Sequence, residues 1–375
     1  MSKRQAENED LSQSKRVRRN NDNHAAGCND AECEGCDVGE VEISFVQTDD
    51  AGEEQATQPT AQELLTMALE EKDMEMTRRL FDMALERFQK DEPDNRIDYA
   101  ACLVELGRSV QVEESIREGL DILRHEMKNA ADLRIRLKLA QAAIALATCI
   151  RKQKNALFEQ LQNELEDSDG EEDEIAAAEL VKKQEITKEE IKLYKEAVDA
   201  VDKVFGQLDK GDEQLVEEVW MIMHDMYSYS QLMDQPSHQE QISTVSDTII
   251  RYVQLFPYED NDNLLTLWAA SLLNKQKFLD EAENKMDLCD ESEKLLDKSS
   301  DIYVNKHGRD SAWIWELRGM LKLTQSNLAE NEDDILTIYD EAVTAFSKAL
   351  ELNPENKKLA ETVAMLNGTQ SEGDE

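Results

Sequence analysis

Three cysteines and one histidine near the start of the chain are the clearest candidates for metal chemistry. His24, Cys28, Cys33 and Cys36 lie within 13 residues. Two thiolates separated by two residues, such as Cys33 and Cys36, can share one zinc ion. Against this, no second pair of ligands follows, and the polar surroundings offer no core that would orient the ligands. A tetrahedral zinc site and an unstructured group of free cysteines both remain open, and we favour the second.

No other part of the sequence has the pattern of an enzyme. It contains no glycine-rich phosphate loop, no HExxH zinc motif and no GxSxG nucleophile motif. The five histidines are scattered, and 83 acidic residues place carboxylate pairs on any solvated helix face. Such pairs catalyse proton transfer only where a pocket shifts their pKa values. We expect a non-enzymatic protein without catalytic residues or cofactors.

Two basic clusters near the N-terminus have the spacing of a bipartite nuclear import signal. A Lys-Arg pair is followed, ten residues later, by the sequence KRVRR. Two clusters joined by a flexible linker can occupy two acidic, aromatic-lined grooves of an import receptor. We therefore expect a nuclear protein, able to shuttle to the cytoplasm, with an import receptor as one partner. The signal residues are Lys3, Arg4, Lys15, Arg16, Arg18 and Arg19.

Two serines precede acidic runs of the kind that acidophilic kinases recognise. Ser168 has acidic residues at the +1, +3 and +4 positions, and Ser371 has a similar setting in SEGDE. A phosphate at either serine would deepen a negative field that is already present. Both serines are candidate phosphorylation sites.

A local excess of positive charge lies within residues 124–154. Eight Lys or Arg residues stand there against two acidic ones, and Arg134 and Lys138, four residues apart, share one helix face. One interpretation is a contact with an acidic segment of a partner through Arg134, Arg136 and Lys138. The other is internal pairing with carboxylates of neighbouring helices, and we favour this one.

Overall charge limits the class of partner. The chain has 375 residues and a formal net charge of −41. A field of this sign repels nucleic-acid phosphates and attracts basic surfaces, which argues against direct nucleic-acid binding.

Hydropathy gives no sign of a membrane protein. The longest apolar run, residues 139–150, has 12 residues, whereas a membrane span needs about 20. The first ten residues lack the apolar core of a secretory signal peptide. We expect a soluble intracellular protein in which Cys102, Cys149 and Cys289 are small buried apolar side chains rather than disulfide partners.

The sequence predicts that helices position the candidate residues named above. From Thr60 onward, apolar residues recur at i, i+3, i+4 and i+7 spacing, and Pro93 stops one such stripe. The chain is poor in glycine, and no segment of any length alternates as a strand does. The predicted helices span 61–72, 75–91, 95–107, 110–128, 131–160, 187–208, 213–233, 239–255, 262–275, 277–305, 310–326, 332–352 and 355–366.

Composition also divides the chain. Residues 1–58 are polar and are expected to be a disordered tail that carries the import signal. Eight carboxylates in the stretch ELEDSDGEEDE oppose a helix through mutual repulsion and predict a solvated acidic insertion. The predicted segments are the tail 1–58, N-terminal helical repeats 60–160, an acidic linker 161–184, C-terminal helical repeats 185–367 and an acidic tail 368–375.

A recurring spacing indicates helical-hairpin repeats. The clearest instance, Ala342-x-x-x-Phe346-x-x-Ala349-Leu350-x-x-x-Pro354, is the second-helix pattern of a tetratricopeptide repeat. Small residues let a neighbouring helix approach, the aromatic ring fills the gap, and the proline turns the chain. An irregular helical bundle is the alternative. The predicted packing positions are Phe81, Ala84, Ile116, Gly119, Ile249, Pro257, Trp315, Gly319, Ala342, Phe346, Ala349 and Pro354. The predicted fold is all-α, a tetratricopeptide-like helical-hairpin superhelix with a disordered N-terminal tail and an acidic mid-chain insertion.

The combination resembles a known family. A basic tail, degenerate repeats, the DSDGEEDE insertion and a closing unit from Ser311-Ala-Trp313 through Ile338-Tyr339-x-x-Ala342 resemble the fungal enhancer of translation termination family. The resemblance implies a nuclear, non-enzymatic adaptor that binds an iron- and 2-oxoglutarate-dependent prolyl hydroxylase as a negative regulator. It also implies effects on translation termination and on oxygen-responsive gene expression.

Two other protein classes are alternatives to the adaptor. An acidic tetratricopeptide-type histone chaperone would also be nuclear and split by an acidic insertion, although the insertion here is short for shielding histone tails. Binding of RNA through residues 124–154 is opposed by the overall field. The identity of the tight partner distinguishes these classes.

Overall fold

The computed structural model describes residues 45–48, 54–129, 132–166, 181–207 and 212–370. The chain divides into two compact units, Met1–Val110 and Gln111–Glu375, called unit 1 and unit 2 below. None of the helices that these residues form combines the length and the hydropathy that a membrane crossing needs.

The described residues of unit 1, 45–48 and 54–110, form a short hairpin and three helices. Strands β1 (Phe45–Thr48) and β2 (Glu54–Thr57) pair antiparallel, with Phe45 opposite Thr57. The helices are α1 (Ala61–Glu70), α2 (Met74–Asp91) and α3 (Arg96–Val110).

The start of α1 follows from a capping box. The Thr60 hydroxyl accepts from the Glu63 N–H, and the Glu63 carboxylate accepts from the Thr60 N–H in return, which satisfies two amides that the helix leaves unpaired. The three helices enclose an apolar core that includes Leu64, Phe81 and Phe88, each almost wholly buried.

Unit 2 is a succession of helices. They are α4 (Glu113–Asn129), α5 (Leu133–Glu166), α6 (Lys188–Phe205), α7 (Glu213–Gln231), α8 (Gln239–Val253), α9 (Asp262–Lys275), α10 (Ala282–His307), α11 (Ala312–Leu328), α12 (Glu332–Leu352) and α13 (Lys357–Gln370). A single 3-10 turn, Pro236–His238, precedes α8.

The contacts within unit 2 follow the rule of stacked helical hairpins. Helices α5 and α6, α7 and α8, α9 and α10, and α11 and α12 pack as pairs, and α5, α7, α9 and α11 also contact one another in sequence. Each pair packs against the next pair, as in other stacks of helical repeats. The all-α, tetratricopeptide-like helical-hairpin fold class is thereby confirmed.

Helix positions agree with the sequence to within a few residues, with two informative differences. Helix α5 continues to Glu166, beyond the predicted end at residue 160 and into the predicted linker. Strands β1 and β2 form a hairpin within the segment that was expected to be a disordered tail. The periodicity of 2 is hard to recognise in strands of four residues, because so short a run fits several patterns.

The predicted packing positions occupy the interfaces between helices. Phe81 and Ala84 are buried in unit 1. In unit 2, Gly119 and Gly319 are buried, whereas Trp315 is half-buried. Pro257 and Pro354 are exposed in the turns that follow α8 and α12. The remaining positions, Ile116, Ile249, Ala342, Phe346 and Ala349, are buried.

The closest of these packing contacts joins α11 to α12. A Cβ built on Gly319 would lie 2.7 Å from Cγ of Phe346, much shorter than any ordinary contact between carbon atoms. The absence of a side chain at Gly319 therefore lets the Phe346 ring lie directly against the α11 backbone.

Candidate protein-interaction surface

Helix α7 carries large side chains on an exposed side as well as on the side that is buried in the stack. Ile222 and Tyr229 are fully buried against neighbouring helices. Met221, which is 45% exposed, lies on another side of the helix together with the exposed His224 and Ser228. Because residues at i, i+3 and i+7 share one side of a helix, these three side chains form a row.

The ring of Trp313, at the start of α11, lies beside this row. The N-cap Ser311 fixes the start of α11, because its hydroxyl accepts from the Ile314 N–H. The centroid of the Trp313 ring is 5.6 Å from that of His224 and 6.3 Å from that of the half-buried Tyr227, the latter in an edge-on arrangement. Both distances are those of favourable aromatic pairs.

A carboxylate completes this surface. Glu316 follows Trp313 by three positions on α11, so the two side chains are neighbours on one helix face. Glu316 is half-buried, and among the residues that the structure describes it has no hydrogen bond and no ion pair. We call the set of Met221, His224, Tyr227, Trp313 and Glu316 the aromatic patch.

The electrostatics of the aromatic patch reflect its partial burial. Burial raises the pKa of Glu316, and the positive charge of Lys358 on α13 opposes that shift. Burial and the negative charge of Glu316 raise the pKa of Tyr227. Desolvation lowers the pKa of His224, against the charge of Asp225. Because the pKa of His224 is lowered from 6.5, its ring is uncharged at neutral pH, and the patch presents uncharged rings beside the Glu316 carboxyl group.

A different kind of polar site lies inside unit 2, which we call the buried cluster: Arg151, Gln184, Glu190 and His238. Arg151 on α5 and Glu190 on α6 are both wholly inaccessible to solvent. The guanidinium Nη2 lies 2.6 Å from Oε1 of Glu190, and Nε donates to the same oxygen over 2.9 Å. Such a pair is tolerated in the interior because each charge has its counterion and because Nε and Nη1 of Arg151 and both oxygens of Glu190 also have hydrogen bonds.

Glu190 also starts helix α6. Its Oε2 accepts from the N–H and from the hydroxyl of Thr187, each over 2.8 Å, while the Thr187 hydroxyl accepts from the Glu190 N–H. One carboxylate thus serves as the helix-capping acceptor and as the counterion of Arg151. The start of α6 is held against α5 by this double role.

Gln184 and His238 complete the buried cluster. The carbonyl of Gln184 accepts from Nη1 of Arg151 over 2.7 Å and lies 2.8 Å from Nε2 of His238. Nδ1 of His238 accepts from the Gln235 N–H, so the imidazole is the neutral form with its proton on Nε2. Burial lowers the pKa of His238 against the Gln184 hydrogen bond, in agreement with a neutral ring.

The basic patch predicted within residues 124–154 is occupied by contacts inside unit 2. Arg124 forms two hydrogen bonds with the Glu196 carboxylate, over 2.9 and 2.6 Å. Lys154 donates to the Glu185 carbonyl over 2.6 Å. Together with the Arg151 pair, these contacts support internal pairing over an acidic partner segment.

The three cations proposed as partner contacts also touch neighbouring residues. Arg134 is exposed and donates to the Gln214 side chain over 3.1 Å. Arg136 is half-buried, 3.9 Å from the Met127 sulfur. Lys138 donates to Gln141 over 3.3 Å and lies 3.8 Å from the Glu218 carboxylate. A contact of these three residues with a partner stays a prediction.

The cysteines of the helical part are free thiols in the core. Cys102, Cys149 and Cys289 are buried and form no disulfide, which confirms the interpretation of all three as small apolar side chains. Burial raises the pKa of Cys102 to about 12 and that of Cys289 to about 11. Thiols protonated at neutral pH are poor nucleophiles and poor metal ligands.

One cavity, of about 250 Å³, lies between α10 and α11. Its polar groups pair with each other: Arg318 with Asp297 over 2.9 Å, and Lys322 with Glu293 over 3.1 Å. Among the described residues, no three His, Cys, Asp or Glu side chains lie close enough together to hold a metal ion.

Several predicted residues lie outside the part of the chain that the structure describes. They are the import-signal residues Lys3, Arg4, Lys15, Arg16, Arg18 and Arg19, the candidate metal ligands His24, Cys28, Cys33 and Cys36, and the candidate phosphorylation sites Ser168 and Ser371.

The aromatic patch and the buried cluster were both missed from the sequence. A signal for the patch is present in α7, where EVWMIMHDMYSYS has more Met and aromatic residues than a single buried face requires. A signal for the cluster is the capping box T-x-x-E at Thr187, although it does not identify Arg151 as the counterion.

No protein-family model and no curated protein matches the sequence. Two solved structures of Nro1 resemble the fold. One, described as the hypoxic regulator of sterol synthesis and a nuclear import adaptor, is 11% identical, with a TM-score of 0.38, over 80% of this chain and 92% of that chain. The other, the S. pombe nuclear import adaptor Nro1, is 11% identical, with a TM-score of 0.37, over 82% and 99%.

A circular tandem repeat protein with a novel repeat topology is 14% identical, with a TM-score of 0.31, over 82% of this chain and 75% of that chain. At TM-scores this low, the descriptions belong to those proteins and carry no argument about the function of this chain.

Proposed function

We propose that this chain is a non-enzymatic nuclear adaptor. It binds an iron- and 2-oxoglutarate-dependent prolyl hydroxylase and thereby supports translation termination and oxygen-responsive gene regulation. The identity of the hydroxylase comes from the resemblance of the repeats and the closing unit to the enhancer of translation termination family.

The aromatic patch is the observation that carries the adaptor role. It places the exposed Met221 and the half-buried Tyr227 and Trp313 on the accessible side of a packed helix stack, where burying them against a partner would be favourable. Tryptophan, tyrosine and methionine are enriched at protein interfaces, because they contribute large contact areas. The described cavity, by contrast, is lined by charged side chains that pair with one another.

Partner capture tests the proposal. The full chain with an affinity tag is incubated with fungal extract, and the retained proteins are identified and quantified by mass spectrometry. We expect an iron- and 2-oxoglutarate-dependent oxygenase at close to one copy per chain, and binding that is reproduced with the two purified proteins. Stop-codon readthrough, measured with and without the chain, should rise when the chain is absent. Unchanged readthrough would contradict the termination role.

The import signal is tested by localisation. Alanine at Lys15, Arg16, Arg18 and Arg19 should abolish nuclear accumulation of a fluorescent fusion. The matched control removes the same charge by placing alanine at four exposed lysines of unit 2, Lys182, Lys183, Lys188 and Lys203. Equal distribution of the two variants would overturn the assignment of the signal.

The histone-chaperone alternative is favoured by one observation, the net charge of −41 with its acidic insertion. Partner capture separates the two functions. Stoichiometric core histones that are released by moderate salt, in place of an oxygenase, would support the chaperone, because exposed charge pairs are screened by salt.

A further inference from the structure

We propose that the aromatic patch binds an arginine side chain of a partner protein, with the guanidinium on the Trp313 ring and paired with Glu316. This inference rests on the proposed adaptor function only in that the arginine belongs to a protein partner. It names the chemistry that the patch recognises and holds for any partner that offers such a residue.

The rings of the aromatic patch lie close together. Tyr227 on α7 and Trp313 on α11 form an edge-on pair with ring centroids 6.3 Å apart. The ring centroid of His224, also on α7, lies 5.6 Å from that of Trp313. All three rings are uncharged at neutral pH, since the pKa of His224 is lowered. The face of an indole attracts a cation through its quadrupole, and this attraction strengthens where water is partly removed.

The aromatic patch also contains an unpaired carboxyl group, that of Glu316. Glu316 lies three positions after Trp313, which places the two Cβ atoms about 5–6 Å apart. Two other carboxylates of unit 2, the buried Glu190 and the half-buried Glu196, have Arg151 and Arg124 as counterions. Glu316 has neither a hydrogen bond nor an ion pair within the described part of the chain. Burial raises the pKa of Glu316, and the nearby charge of Lys358 only partly offsets this effect.

An arginine side chain has the shape and the charge that these groups fit. An arginine has a planar guanidinium that stacks on an aromatic ring and forms two parallel hydrogen bonds with a carboxylate. Its aliphatic stem packs on apolar surface such as that of Met221 and Tyr227. A net charge of −41 on the chain attracts a basic segment from a distance.

Lys358 is the main charge that competes with such a ligand. Its ammonium is near enough to oppose the raised pKa of Glu316, but it forms no ion pair with that carboxylate in the described structure. Lys277, which donates to the Met233 carbonyl over 3.0 Å, also senses the charge of Lys358. Because the Lys358 ammonium would repel a guanidinium that binds near Glu316, replacing Lys358 with methionine should tighten arginine binding.

The probe is a set of blocked pentapeptides, Ala-Leu-X-Leu-Ala, with X as Arg, Lys, Gln or Glu. They are titrated into the full chain labelled with ¹⁵N at tryptophan, and the four indole N–H signals are followed by NMR. The W313F variant assigns the signal of Trp313. We expect the arginine peptide to shift this signal in a saturable way, while Trp220 and Trp268 change little.

Two variants make the result specific. E316Q keeps the shape of the side chain and should weaken the arginine peptide about tenfold, the loss expected for one charge-assisted contact. K358M should strengthen it about twofold. The control E291Q changes an exposed carboxylate of α10 and should have no effect.

The outcomes are decisive in both directions. Equal binding of the arginine and glutamine peptides, a Trp313 signal that does not move, or unchanged affinity in E316Q would each overturn the inference. A lysine peptide that binds as tightly as arginine would overturn the assignment to a guanidinium. Arginine binding without capture of an oxygenase would contradict the proposed function alone, and capture without arginine binding would contradict this inference alone.

Discussion

The buried cluster and the aromatic patch both belong to unit 2, but they treat a carboxylate in opposite ways. Glu190 is fully enclosed and has Arg151 as counterion and Thr187 as a second partner. Glu316 is half-buried among aromatic rings and has no hydrogen-bond or ion-pair partner among the described residues. Burial of a charge is tolerated for stability only when the charge is paired. A carboxylate kept unpaired near the surface is therefore a candidate for binding, whereas a paired one holds the fold.

The largest effect should come from neutralising the paired carboxylate. E190Q keeps a hydrogen-bond acceptor for the capping box but leaves the wholly buried Arg151 without a counterion. We expect the free energy of unfolding of unit 2 to fall by about 3–5 kcal/mol. Urea unfolding followed by tryptophan fluorescence measures this unit, because all four tryptophans lie after residue 110.

The control for this experiment is E217Q, at an exposed carboxylate of α7. Substitutions of this kind usually change stability by less than about 0.5 kcal/mol. A loss for E190Q no larger than that of E217Q would contradict the role assigned to the buried cluster.

The next effect tests the close contact between α11, which carries Trp313 and Glu316, and α12. G319A would place a methyl group 2.7–2.8 Å from the Phe346 ring, so either this ring or the two helices must shift. We expect a loss of about 1–3 kcal/mol from overpacking, reduced by the better helix propensity of alanine. Urea unfolding measures it, and G368A, whose added methyl would meet nothing within 4 Å, is the matched control.

The double variant G319A/F346L identifies the cause. Leucine removes the ring that the new methyl group would touch, so the double variant should lose less than the sum of the two single losses. Strict additivity would mean that G319A acts through something other than the contact with Phe346.

The contact between Gly319 and Phe346 illustrates what the sequence can predict. Spacing alone identified Gly319 as a position of close approach and Phe346 as the ring that fills a gap, because both rules are local. Helix ends could also be predicted from local sequence, because Thr60 caps the start of α1 and Pro93 follows the end of α2.

The buried cluster and the aromatic patch were not predictable in the same way, because they depend on distant residues. Arg151 and Glu190 are 39 positions apart, and His224 and Trp313 are 89 apart. Counting charge within residues 124–154 gave a positive excess, yet the counterions of Arg124 and Arg151 come from α6. Periodicity identifies which face of a helix is apolar, but not which helix will cover it.

A pH experiment compares the two histidines of these regions. A histidine has an ordinary pKa of 6.5, and folding lowers the pKa of His238 below this value. Just below pH 6.5 the folded chain therefore binds fewer protons than the unfolded chain. The stability of unit 2 should fall by about 1 kcal/mol between pH 7 and pH 5.5. H238Q should remove most of this dependence.

His224 is the other histidine with a lowered pKa in unit 2, and it lies in the aromatic patch with one exposed side. H224Q should change the pH dependence less than H238Q does, because water can still solvate a protonated ring there. The reverse order, measured in urea unfolding series at several pH values, would contradict the neutral form assigned to His238.

The smallest expected change in stability is that of E316Q, which should increase stability where the other variants decrease it. Because the pKa of Glu316 is raised in the fold, its ionised form costs stability above that pKa, and the cost disappears as the pH falls through it. E316Q at pH 7 should therefore raise the free energy of unfolding by a few tenths to about 1 kcal/mol, while it weakens the arginine peptide. Urea unfolding and peptide titration of the same preparation measure both. If E316Q instead destabilised unit 2 as E190Q does, Glu316 would be a second structural carboxylate, and the contrast between the two regions would not hold.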